Sequence, residues 1–178
     1  ELGAKIGENI SVAAVANFPD GSFDMQRAIS DASDIVQSGA QEVDVVLPYT
    51  QLLAGNDKAV VQLLTAVRTA CSGLVLKVIL ETGELKDTGL ITHASQLSLD
   101  AGADFLKTST GKTPLSATPQ AARTMLTAIA ANPRSLNRVG FKPSGGLRTV
   151  ADAAFYSALT AEMLGPQALN SKRFRLGA

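Results

Sequence analysis

The sequence predicts an α/β fold built on a parallel sheet, and within that class a (β/α) barrel. Three observations carry this. Short apolar runs recur at roughly 30-residue spacing, segments of helical periodicity separate them, and no glycine-rich nucleotide fingerprint follows any run. Runs apolar throughout are buried on both faces, so helices cover the sheet. This alternation also fits an open doubly wound sheet. The barrel is preferred because Asp44, Lys77, Lys107 and Lys142 lie in or at the ends of successive strands, and converging charges from neighbouring strands are a barrel habit.

Each element has a local reason. Residues 1–9 are polar and glycine-containing and read as a loop. The apolar run 11–18, closed by Pro19, Asp20 and Gly21, reads as a first strand. Met25, Ala28, Ile29, Ala32, Ile35 and Val36 mark a helix over 24–38, stopped by Gly39. A second strand, 42–47, ends at Pro48, and Asn56 is the N-cap of a helix carrying Val60, Leu63, Leu64 and Val67. The third strand, 74–80, is interrupted only by Lys77 and precedes a helix over about 87–101. A fourth strand spans 105–109; Thr118 and Pro119 then open a helix that Asn132 and Pro133 close. The fifth strand, 139–142, leads through Ser144–Gly146 to Thr149 and Asp152, a capping-box pair before a helix ending near Gly165. Residues 174–177 read as a sixth strand.

Composition narrows the function. The 178 residues are 46% hydrophobic and 18% charged, enough for a sizeable core, and the net charge of zero argues against a broad nucleic-acid or anionic-membrane surface. Cys71 is the only cysteine, which excludes an internal disulfide and a cysteine-rich metal cluster and fits a reducing, cytoplasmic setting. His93, the only histidine, sits in a helical pattern and reads as a surface or packing residue, so a multi-histidine zinc site is excluded. No run is long enough to span a bilayer, and no secretory signal opens the chain. Neither a metal nor an organic cofactor is expected.

The chemistry centres on DFLKTSTGK, residues 104–112, where Lys107 lies among Phe105, Leu106 and the hydroxyls of Thr108 and Ser109. A buried lysine is costly unless it is paired or loses its proton, and a neutral amine is what attacks a carbonyl to form a Schiff base. The plainer reading is a lysine that snorkels to the barrel mouth or pairs with a carboxylate. Lys142, in VGFKPSGG one unit later, tips the balance: two ammoniums sharing a small volume disfavour each other's ionisation. Asp44, between valines, points inward as the proton-transfer partner, with Lys77 completing its charge balance. A plain buried Asp44–Lys77 salt bridge is the alternative. The loops Thr110–Gly111–Lys112 and Ser144–Gly145–Gly146 suggest an anion site for a phosphorylated aldehyde or sugar, although each also reads as a tight turn. Arg148 reads as a local cap or pairing residue.

The motifs NFPDG (17–21), EVDVVLPY (42–49), LKVILETGEL (76–85), AGADFLKTSTGK (101–112) and VGFKPSGGLRT (139–149) together resemble the deoxyribose-phosphate aldolase family. The resemblance spans nearly the whole chain. It implies a class I aldolase, an aldehyde-lyase that reversibly cleaves 2-deoxy-D-ribose 5-phosphate to D-glyceraldehyde 3-phosphate and acetaldehyde. In that reading Lys107 forms the Schiff base, Lys142 lowers its pKa and Asp44 shuttles protons. Lys77 and Thr108 support them, and Thr110, Gly111, Lys112, Gly145 and Gly146 bind the phosphate end. The resemblance further implies one partial (β/α)8 TIM-barrel domain over 1–178, covering about six of the eight units. It would lack the first two strands and the C-terminal serine loop, and would be completed by a homo-oligomer or a complementing N-terminal segment. The rival expectation is an inactive barrel fragment acting as an assembly or sugar-phosphate-binding module.

Overall fold

A computed structural model describes residues 10–178; the expected opening loop, 1–9, lies outside them. The elements run β1 (Ala13–Ala16), α1 (Met25–Gln37), β2 (Glu42–Val46), α2 (Tyr49–Leu53), α3 (Asp57–Ala70), β3 (Val75–Ile79), α4 (Thr82–Leu85), α5 (Thr88–Asp100), β4 (Phe105–Lys107), α6 (Pro119–Ala131), β5 (Gly140–Lys142) and α7 (Val150–Leu164), with a 3-10 turn at Pro166–Ala168. The five strands pair in parallel and in sequence order, β1-β2-β3-β4-β5. A doubly wound sheet reverses its strand order at a switch point; an unbroken sequential order is an arc of a (β/α) barrel.

The caps form where the side chains dictate. Asp24, Asn56, Asp87, Thr118 and Thr149 each accept a bond from a first-turn amide of the following helix, and Thr149 with Asp152 completes a capping box. Pro119 occupies the first turn of α6, where its missing amide costs nothing. The backbone amide of Arg148 bonds Asp152, as that of Thr149 does, so the bond is independent of the arginine side chain.

Strand register sorts the side chains onto two faces. One face carries Val43, Val45, Leu76, Val78, Leu106 and Phe141, all fully buried. They pack in one cluster with Ala28 and Ala32 of α1, Val60, Leu63, Leu64 and Val67 of α3, and Met125, Leu126 and Ile129 of α6. Each large aliphatic side chain withdrawn from water contributes about 1.5–3 kcal/mol, so this layer holds the arc together. The opposite face is the concave interior. Its rows, from the strand N-termini outward, are Ala13–Glu42–Val75, then Val15–Asp44–Lys77–Phe105–Gly140, then Val46–Ile79–Lys107–Lys142.

Three strands differ from expectation. The first, expected over 11–18, spans only Ala13–Ala16 and gives way to a left-handed Asn17 at φ 52°. The fourth stops at Lys107 because the Thr108 hydroxyl takes over the ladder, donating to the Ser144 carbonyl at 3.1 Å and accepting from the Ser144 amide at 2.9 Å. Residues 174–177 form no named strand; they lie beside β5 through isolated parallel bridges, Phe141 with Phe174 and Ser144 with Gly177. Pro143 has no amide to donate and interrupts the pairing between those bridges. The short helices α2 and α4 carried no periodic signal, being 5 and 4 residues long.

Candidate active site

Asp44 is the hub. It sits mid-β2 on the concave face, 3% exposed, one row deeper than the two lysines nearest the C-terminal ends of the strands. Lys77 donates to its Oδ1 at 2.6 Å; Lys107 and Lys142 donate to its Oδ2 at 2.9 and 3.1 Å. Lys107 and Lys142 are direct register partners on β4 and β5, so the two amines stand at one height as the sequence suggests. Such an arrangement follows from residue parity, since positions 44, 77, 107 and 142 all fall on the inward phase of the two-residue strand repeat.

Burial opposes ionisation of Asp44, but the Lys107, Lys77 and Lys142 ammoniums outweigh it and hold the carboxyl down at about 2. Lys142 moves in the opposite sense to an ordinary paired lysine. Burial, reinforced by the Lys107 and Lys77 charges, lowers its pKa against the pull of Asp44. The cluster therefore contains an amine displaced towards the neutral form, in contact with a fixed carboxylate. Lys107 and Lys142 share one carboxylate oxygen, which holds the two amines in one small volume.

Two buried acids complete the site, and neither stood out in the sequence. Glu42 lies one row below Asp44, with its carboxylate 2.6 Å from Lys77 and 2.9 Å from Arg175, which reaches it from the C-terminal segment. Burial is again outweighed, here by Lys77 and then Arg175, so Glu42 stays below the usual glutamate value. Its position two residues before Asp44 was the available signal, since i and i+2 share a strand face. Arg175 also stacks 5.8 Å from the centre of the Phe105 ring. The second acid is Glu81, fully buried beyond the end of β3. Its carboxylate accepts from the Thr110 amide at 3.2 Å, from the Thr110 hydroxyl and from the Thr113 hydroxyl at 3.2 Å.

The two glycine loops meet above the lysines. A side chain at Gly145 would put its Cβ 2.5 Å from Ser116 Oγ and 3.2 Å from the Gly111 Cα, so only glycine allows the loop after β5 to approach the loop after β4 this closely. The two loops do not present all their expected donors. The Thr110 amide and hydroxyl are turned to Glu81, the Lys112 amide to Thr110 Oγ1, and the Gly145 amide to the Gly177 carbonyl. Gly111, Lys112 and Gly146 are exposed at the mouth. A cavity of about 390 Å³ between the starts of α5 and α6, lined by Thr82, Lys86, Leu115 and Thr118 among others, is reached by none of Lys77, Lys107 and Lys142.

Away from the site, His93 is part-exposed and bonds Asp57 at 2.7 Å, the surface role expected of it. Among the described residues no group of three histidine, cysteine or acidic side chains is placed to hold a metal ion, and no helix is long and apolar enough to cross a membrane.

Solved structures share this architecture. The chain superposes on a candidate deoxyribose-phosphate aldolase of Coccidioides immitis with a TM-score of 0.83 at 34% identity, over 97% of this chain and 62% of that one. A candidate deoxyribose-phosphate aldolase of Toxoplasma gondii ME49 gives 0.88 at 27% identity, over 99% and 70%. The deoxyribose phosphate aldolase of Aeropyrum pernix, described as a tetramer of unique structure, gives 0.76 at 28% identity, over 99% and 66%. The chain thus spans less than two thirds of the length of the Coccidioides protein. Residues 3–167 match the model of the DeoC/LacD family aldolases, and with so much of the sequence covered the chain belongs to that family.

Proposed function

We propose that this chain carries the reacting centre of a class I aldolase that cleaves 2-deoxy-D-ribose 5-phosphate, reversibly, to D-glyceraldehyde 3-phosphate and acetaldehyde. The observation that carries the reading is the convergence of Lys77, Lys107 and Lys142 on the single buried carboxylate of Asp44. A structural ion pair needs one cation; three cations against one carboxylate leave positive charge in excess and favour a neutral amine.

In this reading the Lys107 amine attacks the C1 carbonyl of the open-chain sugar, and the carbinolamine loses water to give a protonated imine. The iminium draws in the electron pair of the C2–C3 bond as the C3 hydroxyl gives up its proton. Glyceraldehyde 3-phosphate departs, leaving an enamine on Lys107. Protonation at C2 and addition of water then release acetaldehyde and restore the amine. A carboxyl held at about 2 is a weak proton acceptor at neutral pH, so Asp44 serves chiefly as the fixed anion of a relay. Lys142, displaced towards neutrality and less buried than Lys107, is its moving member. Lys77 bridges Glu42 and Asp44, 2.6 Å from each. Thr108 fixes the Ser144 backbone, and Gly111, Lys112 and Gly146 meet the phosphate.

The working unit is read as an oligomer, in keeping with the tetramer of the Aeropyrum pernix protein and with the exposed Ile10, Val15 and Phe23 at or near β1, the first strand among the described residues. A reducing cytoplasmic location fits the single buried thiol, Cys71. The test is mass spectrometry after incubation with acetaldehyde and borohydride. One ethyl adduct on Lys107, absent from Lys107→Met, is the expected result. An adduct confined to Lys142 would exchange the two lysine roles, and no specific adduct would remove the assignment of catalysis to this chain.

A further inference from the structure

Glu81 stands apart from the other buried acids. Glu42 and Asp44 are each met by ammonium or guanidinium groups, whereas the described partners of Glu81 are all neutral donors of one loop. It is also one of three non-glycine residues with positive φ among those described, at φ 52° and ψ 59°. A fully buried carboxylate with only neutral donors among its described partners, on a left-handed backbone, is doubly costly, and such features persist where the surroundings over-determine them.

What surrounds Glu81 is the anion end of the site. Its carboxylate fixes Thr110 and Thr113, on either side of Gly111 and Lys112. On the far side of that loop, Ser116 and Gly111 pack against Gly145. The same loop is pressed onto α4: a Cβ at Gly83 would lie 2.0 Å from the Leu115 carbonyl oxygen. Main-chain bonds from the Leu80 amide to the Lys107 carbonyl and from the Thr82 amide to the Thr108 carbonyl bracket Glu81 on both sides. The residue is therefore held rigidly at its base and grips the loop at its tip.

We infer that Glu81 is a positioning residue for phosphate recognition: it locks the loop after β4 against the loop after β5 and turns Thr110 away from the substrate, so that an anion meets Gly111, Lys112 and Gly146. This rests on the proposed function for the identity of the substrate. A glutamine here keeps the shape but replaces one of the two accepting oxygens with an NH2 donor, so the grip on Thr110 and Thr113 weakens.

The test compares imine trapping at Lys107 with three probes, acetaldehyde, 2-deoxyribose and 2-deoxyribose 5-phosphate, in the wild type, Glu81→Gln and Thr113→Val. The expected result is a selective one. In Glu81→Gln the half-saturating concentration of the phosphorylated sugar rises at least tenfold relative to that of 2-deoxyribose; in Thr113→Val the same ratio moves about threefold. A uniform loss across all three probes marks a merely structural role and overturns the inference, as does no change in the ratio. If Glu81→Gln does not fold, Thr113→Val alone decides by the same ratio. If the wild type itself traps no acetaldehyde, the proposed function fails separately, and calorimetric binding of inorganic phosphate to the same variants judges Glu81. Weaker binding in both variants supports it, and equal binding, or none by the wild type, overturns it.

Discussion

The two faces of the five-stranded arc are built from the same strands, one residue out of phase, yet they do opposite work. On the outer face Val43, Val45, Leu76, Val78, Leu106 and Phe141 are fully buried under helices and differ only in shape. On the inner face Glu42, Asp44, Lys77, Lys107 and Lys142 are joined by contacts of 2.6–3.1 Å. Apolar burial is concentrated on one side of the backbone and reactivity on the other, so substitutions at Leu106 and Lys107, one residue apart, should separate loss of core packing from loss of chemistry.

The largest expected effect is at Asp44. Asp44→Asn leaves Lys107 and Lys142 buried against each other without their shared anion, and removing one partner from a buried ion cluster costs about 3–5 kcal/mol. Lys107→Met, by contrast, removes one of three cations facing one carboxylate and should stay within about 1 kcal/mol of the wild type while abolishing the acetaldehyde adduct. Urea unfolding of the two variants at pH 7 measures both. A smaller loss for Asp44→Asn than for Lys107→Met would mean that the inner face is not organised around the carboxylate.

This division of labour also explains what the sequence reveals. The outer face and the caps are local or periodic signals: Asn56, Thr118 with Pro119, and Thr149 with Asp152 act within one helical turn, and each does what its residue type predicts. The lysines were legible because charge inside an apolar run is anomalous, and residue parity then places Lys107 beside Lys142. Glu42 and Glu81 were not, because an acid at a strand end is ordinary in sequence and becomes unusual only when tertiary packing buries it. Arg175 reaches Glu42 across 133 residues, a distance no local pattern encodes. The loop donors were over-counted for a related reason: composition shows that Thr110 can donate to an anion, but packing decides that it donates to Glu81.

The second effect in size lies on the outer face. Leu106 is fully buried between Lys107 and Phe105 in sequence but points the opposite way, into the helix-packed core beside Val78 and Phe141. Leu106→Ala should lower stability by about 2–5 kcal/mol through lost burial and the residual cavity. The Lys107 adduct should still form at a rate within a few-fold of the wild type under conditions where the variant remains folded. Loss of the adduct in a folded Leu106→Ala protein would show that the faces are coupled rather than independent.

The smallest effect belongs to pH and bears on the inner face alone. The Asp44 carboxyl is held at about 2 in the folded protein against 3.8 ordinarily, with burial outweighed by Lys107, Lys77 and Lys142. A depressed folded value stabilises the fold above the unfolded pKa, and that contribution fades as pH falls towards the folded one. At 1.36 kcal/mol per unit this amounts to about 2 kcal/mol, present above roughly pH 5 and lost progressively as pH falls towards 2. Glu42, also lowered, adds in the same direction. Unfolding free energies measured from pH 6 to pH 3 should therefore fall more steeply in the wild type than in Asp44→Asn. Parallel curves for the two proteins would show that Asp44 is not held by its three lysines in solution, and the excess positive charge that favours a neutral amine would lose its anchor.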